Sequence, residues 1–416
     1  MRKKNKLDIK VMFCLMVACE LMVMILANVI FKNTLVIVYG NFAIEIFTTL
    51  YVLSVEQFEI SMERNEVTII LLFTVGQLMM FGITSILEKT LFFDVHKLLM
   101  CLGLLYSTFF SAKRIKCNIK EYDIILNILI IVGIVSTLYN FFVNFSTFKM
   151  GNLTRILFYS WNFRSFFSSR AAYGTFLALC AIIALMKSEQ SGKKMFLLLF
   201  FWFSANILIT AARAQCISLI CGVIAYLLYS KRYRKFVIIA GLFGLVYVLL
   251  LNNEYFVNLI DKYFMLFDHS RDRSTDITTG RLELWTTAFS YMNPWNWLLG
   301  VGIGAKDTVM ALNAVSILGQ QLLSFHSGYV DLVFETGLFG LLIWGWSVKR
   351  TFHAVKRQCP VNVRHFFYAS LIAISISNVF DSCYMIFTTD TMAVFATFMI
   401  IVFPNAVANY YKCSEM

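Results

Sequence analysis

The chain has 416 residues, of which 59% are hydrophobic and only 14% charged, with a formal net charge of +12 and a mean hydropathy of +0.72. A soluble protein carries about one quarter charged residues, so these totals exclude an ordinary soluble domain. A β-barrel is excluded as well, because the apolar runs are unbroken and helix-length rather than alternating.

The N-terminus carries Arg2, Lys3, Lys4, Lys6 and Lys10. The apolar run behind it is too long for a signal h-region and lacks a small-residue cleavage site, so it reads as an uncleaved first helix. The predicted fold is an all-α polytopic membrane protein with about twelve spans. They fall at 11–31, 34–55, 67–87, 91–110, 122–145, 166–186, 195–211, 213–230, 236–251, 328–347, 366–380 and 387–403. The expected organisation is an N-terminal membrane bundle over 1–251, a large extracytoplasmic loop over 252–327 and C-terminal membrane helices over 328–416.

Charge gives the orientation. Lys and Arg collect at the N-terminus, at 113–116, 193–194 and 231–235, and between Lys349 and Arg364. With both termini cytoplasmic these segments all fall on one side, as basic loops do in the cytoplasm. Topology thus accounts for the positive charge, and no nucleic-acid partner is expected. Ten cysteines are scattered singly without a CxxC pair, so no disulfide framework is implied.

The opposite side carries the segment 146–165, a tight turn at Ala211-Ala212-Arg213 and the long loop. In the loop, Glu254 to Phe267 and Leu282 to Met292 mix aromatic and charged residues at helical spacing, which predicts short amphipathic helices. Asn293-Pro294 ends the second, because the residue before proline is pushed out of the helical region. Asp268, Asp272 and Asp276 alternate with His269, Arg271 and Arg273, so they read either as a metal site or as a self-neutralising solvated segment. Asp94, His96 and Lys97 form an isolated polar cluster in the fourth span. His353 and His365 fall in a basic cytoplasmic loop.

Helices entering the membrane from the outer side point their N-termini, with unpaired N–H groups and partial positive charge, at that surface. Arg170, Arg213 and His326 sit at such points, and Arg281 lies in the loop leading to the last. This pattern suits a phosphate or diphosphate, whose oxygens match the arginine fork. Each arginine alone also fits snorkelling to lipid head groups. His326 is either a helix-capping residue or a general base kept neutral by the helix that follows. Asp331 and Glu335 lie on one face of that helix; Glu335 either orients a polar partner or braces the fold. Trp285, Tyr291, Trp295 and Trp297 either stack on sugar rings or anchor the loop at the interface.

The order Thr210-Ala211-Ala212-Arg213, Gly280-Arg281-Leu282-Glu283-Leu284-Trp285, Asn293-Pro294, Gly300-x-Gly302-x-Gly304, His326-Ser327-Gly328-Tyr329 and Glu335-Thr336-Gly337-Leu338-Phe339-Gly340 resembles the bacterial O-antigen ligase and polysaccharide polymerase family. The resemblance departs at His326-Ser327, where the family often has His-Asn, and at Ala212-Arg213, where it often has Ser-Arg. It implies a glycosyltransferase of the bacterial cytoplasmic membrane, working on its extracytoplasmic side. The implied donor is a glycan on undecaprenyl diphosphate. The family positions that surround the diphosphate and the reacting sugar correspond to Arg213, Arg281 and His326; beside the resemblance, the residues themselves offer Arg170, Trp285 and Glu335 as further substrate-binding candidates and His326 as the catalytic base. No metal or cofactor is implied. The implied partners are the lipid-linked oligosaccharide, membrane lipids, a chain-length regulator and a repeat-unit flippase. Repeat-unit polymerase, ligase to a lipid or protein acceptor, and flippase are the competing readings.

Overall fold

The computed structural model describes residues 17–32, 64–87, 115–146, 163–210, 212–232, 281–304, 325–386 and 392–414, with shorter runs between 36 and 51, between 95 and 106, and at 306, 316–317 and 320–321. The expected span 236–251, the helix at Glu254 to Phe267, the aspartate–arginine segment 268–276 and the residues Asp94, His96 and Ala211 lie outside the described residues.

The chain is helical. In order come α1 (Cys19–Phe31), α2 (Arg64–Leu87), α3 (Ile119–Val143), α4 (Arg170–Ser191), α5 (Lys194–Ile209), α6 (Arg213–Tyr229), α7 (Arg281–Ser290), α8 (Pro294–Leu299), α9 (Gly328–Gln358), α10 (Val361–Phe380) and α11 (Ala393–Lys412). Among the described residues the only strands are a two-residue antiparallel pair, β1 (Ser316–Ile317) and β2 (Gln320–Gln321). The helices α2, α3, α4, α9, α10 and α11 are long and apolar enough to cross a membrane; α1, α5 and α6 are shorter apolar helices. The protein is therefore a multi-pass membrane protein.

Two compact units divide the chain. The first holds residues 1–127, 281–360 and 378–416; the second holds 128–280 and 361–377. In the second unit α4 is the hub, with every residue from Ala171 to Lys187 buried. Close approach explains the burial. A side chain at Gly133 of α3 would meet Cys180 Sγ at 2.9 Å, and one at Gly174 would meet Gln215 of α6 at the same distance. Polar side chains tie helices of the bundle together: Thr175 and Ser377 share a hydrogen bond of 2.6 Å, Ser218 Oγ donates to the Ala373 carbonyl, and Trp202 Nε1 donates to Thr137 Oγ1.

In the first unit α9 is central and is not the continuous span expected at 328–347. It breaks at Gly337, whose φ of 66° lies in the left-handed region, where only glycine sits without strain. The break frees the carbonyls of Phe334 and Glu335. Both are taken by the turn after α8: Val301 N–H donates to Phe334 O at 2.9 Å and Gly302 N–H to Glu335 O at 3.0 Å. That turn is possible because Gly300, Gly302 and Gly304 all have positive φ. Side chains at Gly300 and Gly337 would each run into the other segment's backbone, Glu335 O and Leu298 O respectively. The turn is also fastened to α2, where Gln77 donates to Leu299 O and accepts from Ile303 N–H, and Thr84 donates to Val301 O at 2.6 Å.

Two further corrections concern α9 and α10. The basic segment from Lys349 to Arg364, expected to be a loop, is mostly helix: α9 runs on to Gln358, and only Cys359 and Pro360 separate it from α10. His353 and His365 therefore lie on helices. The stop is Pro360, before which Cys359 is extended (φ −83°, ψ 149°), as residues preceding proline are. Basic residues in the last turn of α9, Lys356 and Arg357, complement the negative helix end. Arg350 pairs with Glu66 of α2 and lies over the Trp346 ring.

Candidate active site around His326

The candidate site is built from α7 upward. Among the described residues this helix runs from Arg281, and one turn on, at i+4, Trp285 lies on the same face. The indole Nε1–H of Trp285 donates to the carbonyl of Phe325 at 2.8 Å, so α7 grips the chain one residue before His326. Asn293 then caps α8, its side chain accepting from Asn296 N–H at 2.9 Å, and Pro294 fills the first helical position, where its missing N–H costs nothing. The Asn293-Pro294 signal thus ends one helix and starts another. Phe289 and Trp297 stack across this corner at 5.1 Å between ring centres, while Trp295 stands 70% exposed.

His326 itself has φ 50°, a left-handed conformation that costs a side-chain-bearing residue of order 1–2 kcal/mol. Its neighbours hold it there. The N–H of Phe325 donates to Asp331 Oδ1 at 3.4 Å, and the N–H of Gly328 donates to the Asp381 carbonyl at 3.1 Å. Asp331 Oδ2 lies 3.1 Å from Lys306 Nζ, and both side chains are buried. Asp381 accepts from Ser382 N–H and from Cys383 Sγ.

Four charged groups act on the imidazole: Asp381, Arg281, Asp331 and Lys306. The imidazole is held below its ordinary pKa, first by burial. Asp381 then pulls up, Arg281 pushes down, Asp331 pulls up and Lys306 pushes down. Two cations and two anions oppose one another, so desolvation decides the direction. The sequence anticipated a neutral imidazole from the following helix's positive end; burial is the larger cause.

Glu335, one turn below Asp331, is fully buried in α9 just above the break. Its side chain is at the level of the glycine turn, whose Gly302 N–H bonds its carbonyl.

Arg170 and Arg213 belong to the second unit. Arg170 is the first residue of α4, behind the cap Ser169, whose side chain accepts from Ala172 N–H. Arg213 is the first residue of α6, one residue past Ala212. Ala212 N–H donates to Thr210 Oγ1 at 3.3 Å, which tightens the turn between α5 and α6. Gly174 packs against Ala212 and Gln215, so α4 and α6 meet at the ends that carry these two arginines. Arg281 and His326 are thus brought together in one unit, and Arg170 and Arg213 in the other. That the two pairs face one site stays an expectation.

One local fact unites two of the arginines. Arg170 and Arg213 each occupy the first position of a helix. Cations are favoured at the opposite end, where the helix dipole is negative. Both placements run against local preference, and a bound anion would offset that cost.

Sequence reasoning missed Lys306 and Asp381. Lys306 stands two residues after Gly304 and next to Asp307, so it reads as a solvated loop charge. Asp381 directly follows α10 and reads as a span end.

No curated protein matches the chain. Residues 198–345 match the family model described as O-antigen ligase. The matched stretch contains Arg213, Arg281, Trp285, His326 and Glu335, while Arg170 falls outside it. From within α5 to the middle of α9, the chain is similar to the O-antigen ligase family, the family its motifs resemble.

Proposed function

We propose that the protein is a repeat-unit polymerase for a surface polysaccharide, a capsule or an O-antigen. It moves a growing glycan from undecaprenyl diphosphate onto a fresh lipid-linked unit at the outer face of the bacterial cytoplasmic membrane, with both termini in the cytoplasm. The observation that carries the reading is His326: a half-buried imidazole whose protonated form is disfavoured by desolvation, beside Arg281, within the stretch matching the O-antigen ligase family.

The chemistry follows from these groups. An acceptor hydroxyl attacks the anomeric carbon, and its proton passes to the His326 imidazole as general base. The bond from that carbon to the diphosphate oxygen breaks, and the electron pair leaves on the diphosphate. Arg281, with Arg213 and Arg170 at helix starts, stabilises the charge that builds there. Trp285 and Glu335 complete the surroundings of diphosphate and sugar. A chain-length regulator and a repeat-unit flippase are the partners such a reaction calls for.

Two alternatives compete. The printed description of the matched family favours a ligase that passes the glycan to a lipid or protein acceptor. A flippase would expose broken-helix backbone to its substrate. Here the carbonyls freed at Gly337 are taken up by Val301 and Gly302, which speaks for the enzyme.

Depleting the protein and resolving the glycan on a gel separates these readings. Single lipid-linked units without a ladder support polymerase. A lipid-linked ladder with no attached polymer supports ligase. His326→Ala, Arg281→Ala and Arg213→Ala should each reproduce the depleted pattern at normal membrane levels; normal ladders from all three would end the assignment.

A further inference from the structure

We propose that Lys306 and Asp331 are positioning residues for His326, a buried ion pair that locks the turn carrying the imidazole. The inference rests on His326 as the proton acceptor and adds the groups that hold it. The lock has a simple mechanical form. Asp331 uses one carboxylate oxygen on the Phe325 N–H and the other on Lys306 Nζ. Without the lysine that carboxylate could rotate; with it, Phe325, the residue before His326, is fixed at its N–H. Trp285 fixes the carbonyl side of the same residue. A left-handed histidine persists only where its surroundings over-determine it, and here they do.

Lys306 is itself delivered rigidly. It follows the turn Gly300 to Gly304, which is bonded to the break in α9 and to Gln77 and Thr84 of α2. The lysine side chain is 5% exposed and the aspartate fully buried. Such a pair is weak evidence for stability, since apolar residues of similar volume commonly do as well or better. Geometry and charge are what the pair supplies. Among the described residues, the charged groups facing His326 are Arg281 from α7, Lys306 from the glycine turn, Asp331 from α9 and Asp381 after α10. They balance in sign. Removing Lys306 leaves two carboxylates against one arginine, which draws a proton onto the imidazole.

The test uses the full-length protein in native membranes and diethyl pyrocarbonate, which acylates a histidine only in its neutral form. Modification of His326 is followed by mass spectrometry against pH, so the midpoint reports protonation and the plateau reports access. The unaltered chain should show a midpoint below 6.5. Lys306→Met should raise that midpoint, and Lys306→Arg should restore it. Lys306→Met with Asp331→Asn removes both charges of the pair and keeps an oxygen for the Phe325 N–H, so it should fold and return the midpoint. Asp331→Ala loses that oxygen; its plateau should rise, and glycan output should fall by about a hundredfold, the scale of a small misplacement of a catalytic group. Midpoints and plateaus unchanged in both Lys306→Met and Asp331→Ala would overturn the proposal. If they shift as expected while His326→Ala still makes polymer, the positioning stands and the glycan-transfer reading fails instead.

Discussion

Trp285 shows how much a single side chain can hide from a sequence. Its place four residues after Arg281 was legible, and so was its aromatic character. The residues left two roles open, sugar stacking or interface anchoring, and neither includes the contact observed, an indole N–H on the Phe325 carbonyl. That contact joins residues forty apart, and no local pattern encodes it. The roles are separable by experiment. Trp285→Phe keeps a ring that can stack but removes the donor, a loss of about 1 kcal/mol net for a typical hydrogen bond. Glycan output should fall by about tenfold through the turnover rate, with the acceptor KM unchanged, because a group holding His326 acts on the reacting geometry. Full turnover with a changed KM would instead point to stacking. Lys306 and Asp381 were illegible for a related reason. Charge near a predicted loop or span end reads as solvated, and only the fold buries Lys306 against Asp331.

At the scale of elements, hydropathy marked where apolar helices run but not where they bend or stop. The span at 328–347 was legible as a span. Its break was not, because one glycine at φ 66° leaves the average hydropathy untouched. The signal was nevertheless present twice, in Gly300-x-Gly302-x-Gly304 and in Glu335-Thr336-Gly337, and the structure shows why the two motifs occur together: each packs on the other's backbone. Within a membrane, non-helical backbone survives only where protein or a water-filled cavity covers it, and here the glycine turn is the cover. Gly300→Ala and Gly337→Ala each add a methyl group against main chain at a left-handed position, so both should destabilise by at least about 1–2 kcal/mol. Gly345→Ala, on the same helix with nothing near its would-be side chain, should be neutral or slightly stabilising, since alanine is the better helix former. Thermal unfolding of the purified protein in detergent reads all three; equal melting temperatures across the set would show that the two motifs do not brace each other. The end of α9 was misread for the opposite reason. Its basic residues looked like a loop, although Pro360 marked the true stop.

For the whole molecule, the question is whether residues from distant parts of the chain act on one substrate. The glycan-transfer reading asks Arg213 of one compact unit and Arg281 of the other to serve the same diphosphate. Chain order supplies both arginines, Arg213 at a helix start, and the matched family stretch spans both. Energetic coupling tests the demand directly, because residues that share a partner are non-additive while independent ones add. If both guanidinium groups hold one leaving diphosphate, either Arg213→Ala or Arg281→Ala already misplaces it. The double variant should then lose much less than the product of the two single losses, as happens when groups act as a unit. Arginine's fork makes the sharing specific, so Lys at either position should rescue only weakly. If the two losses instead multiply, the arginines act on separate steps, and one of them is serving the lipid surface rather than the reacting sugar. Turnover of a lipid-linked oligosaccharide by the four proteins, unaltered, two single and one double variant, decides between these outcomes, provided each variant reaches the membrane in equal amount.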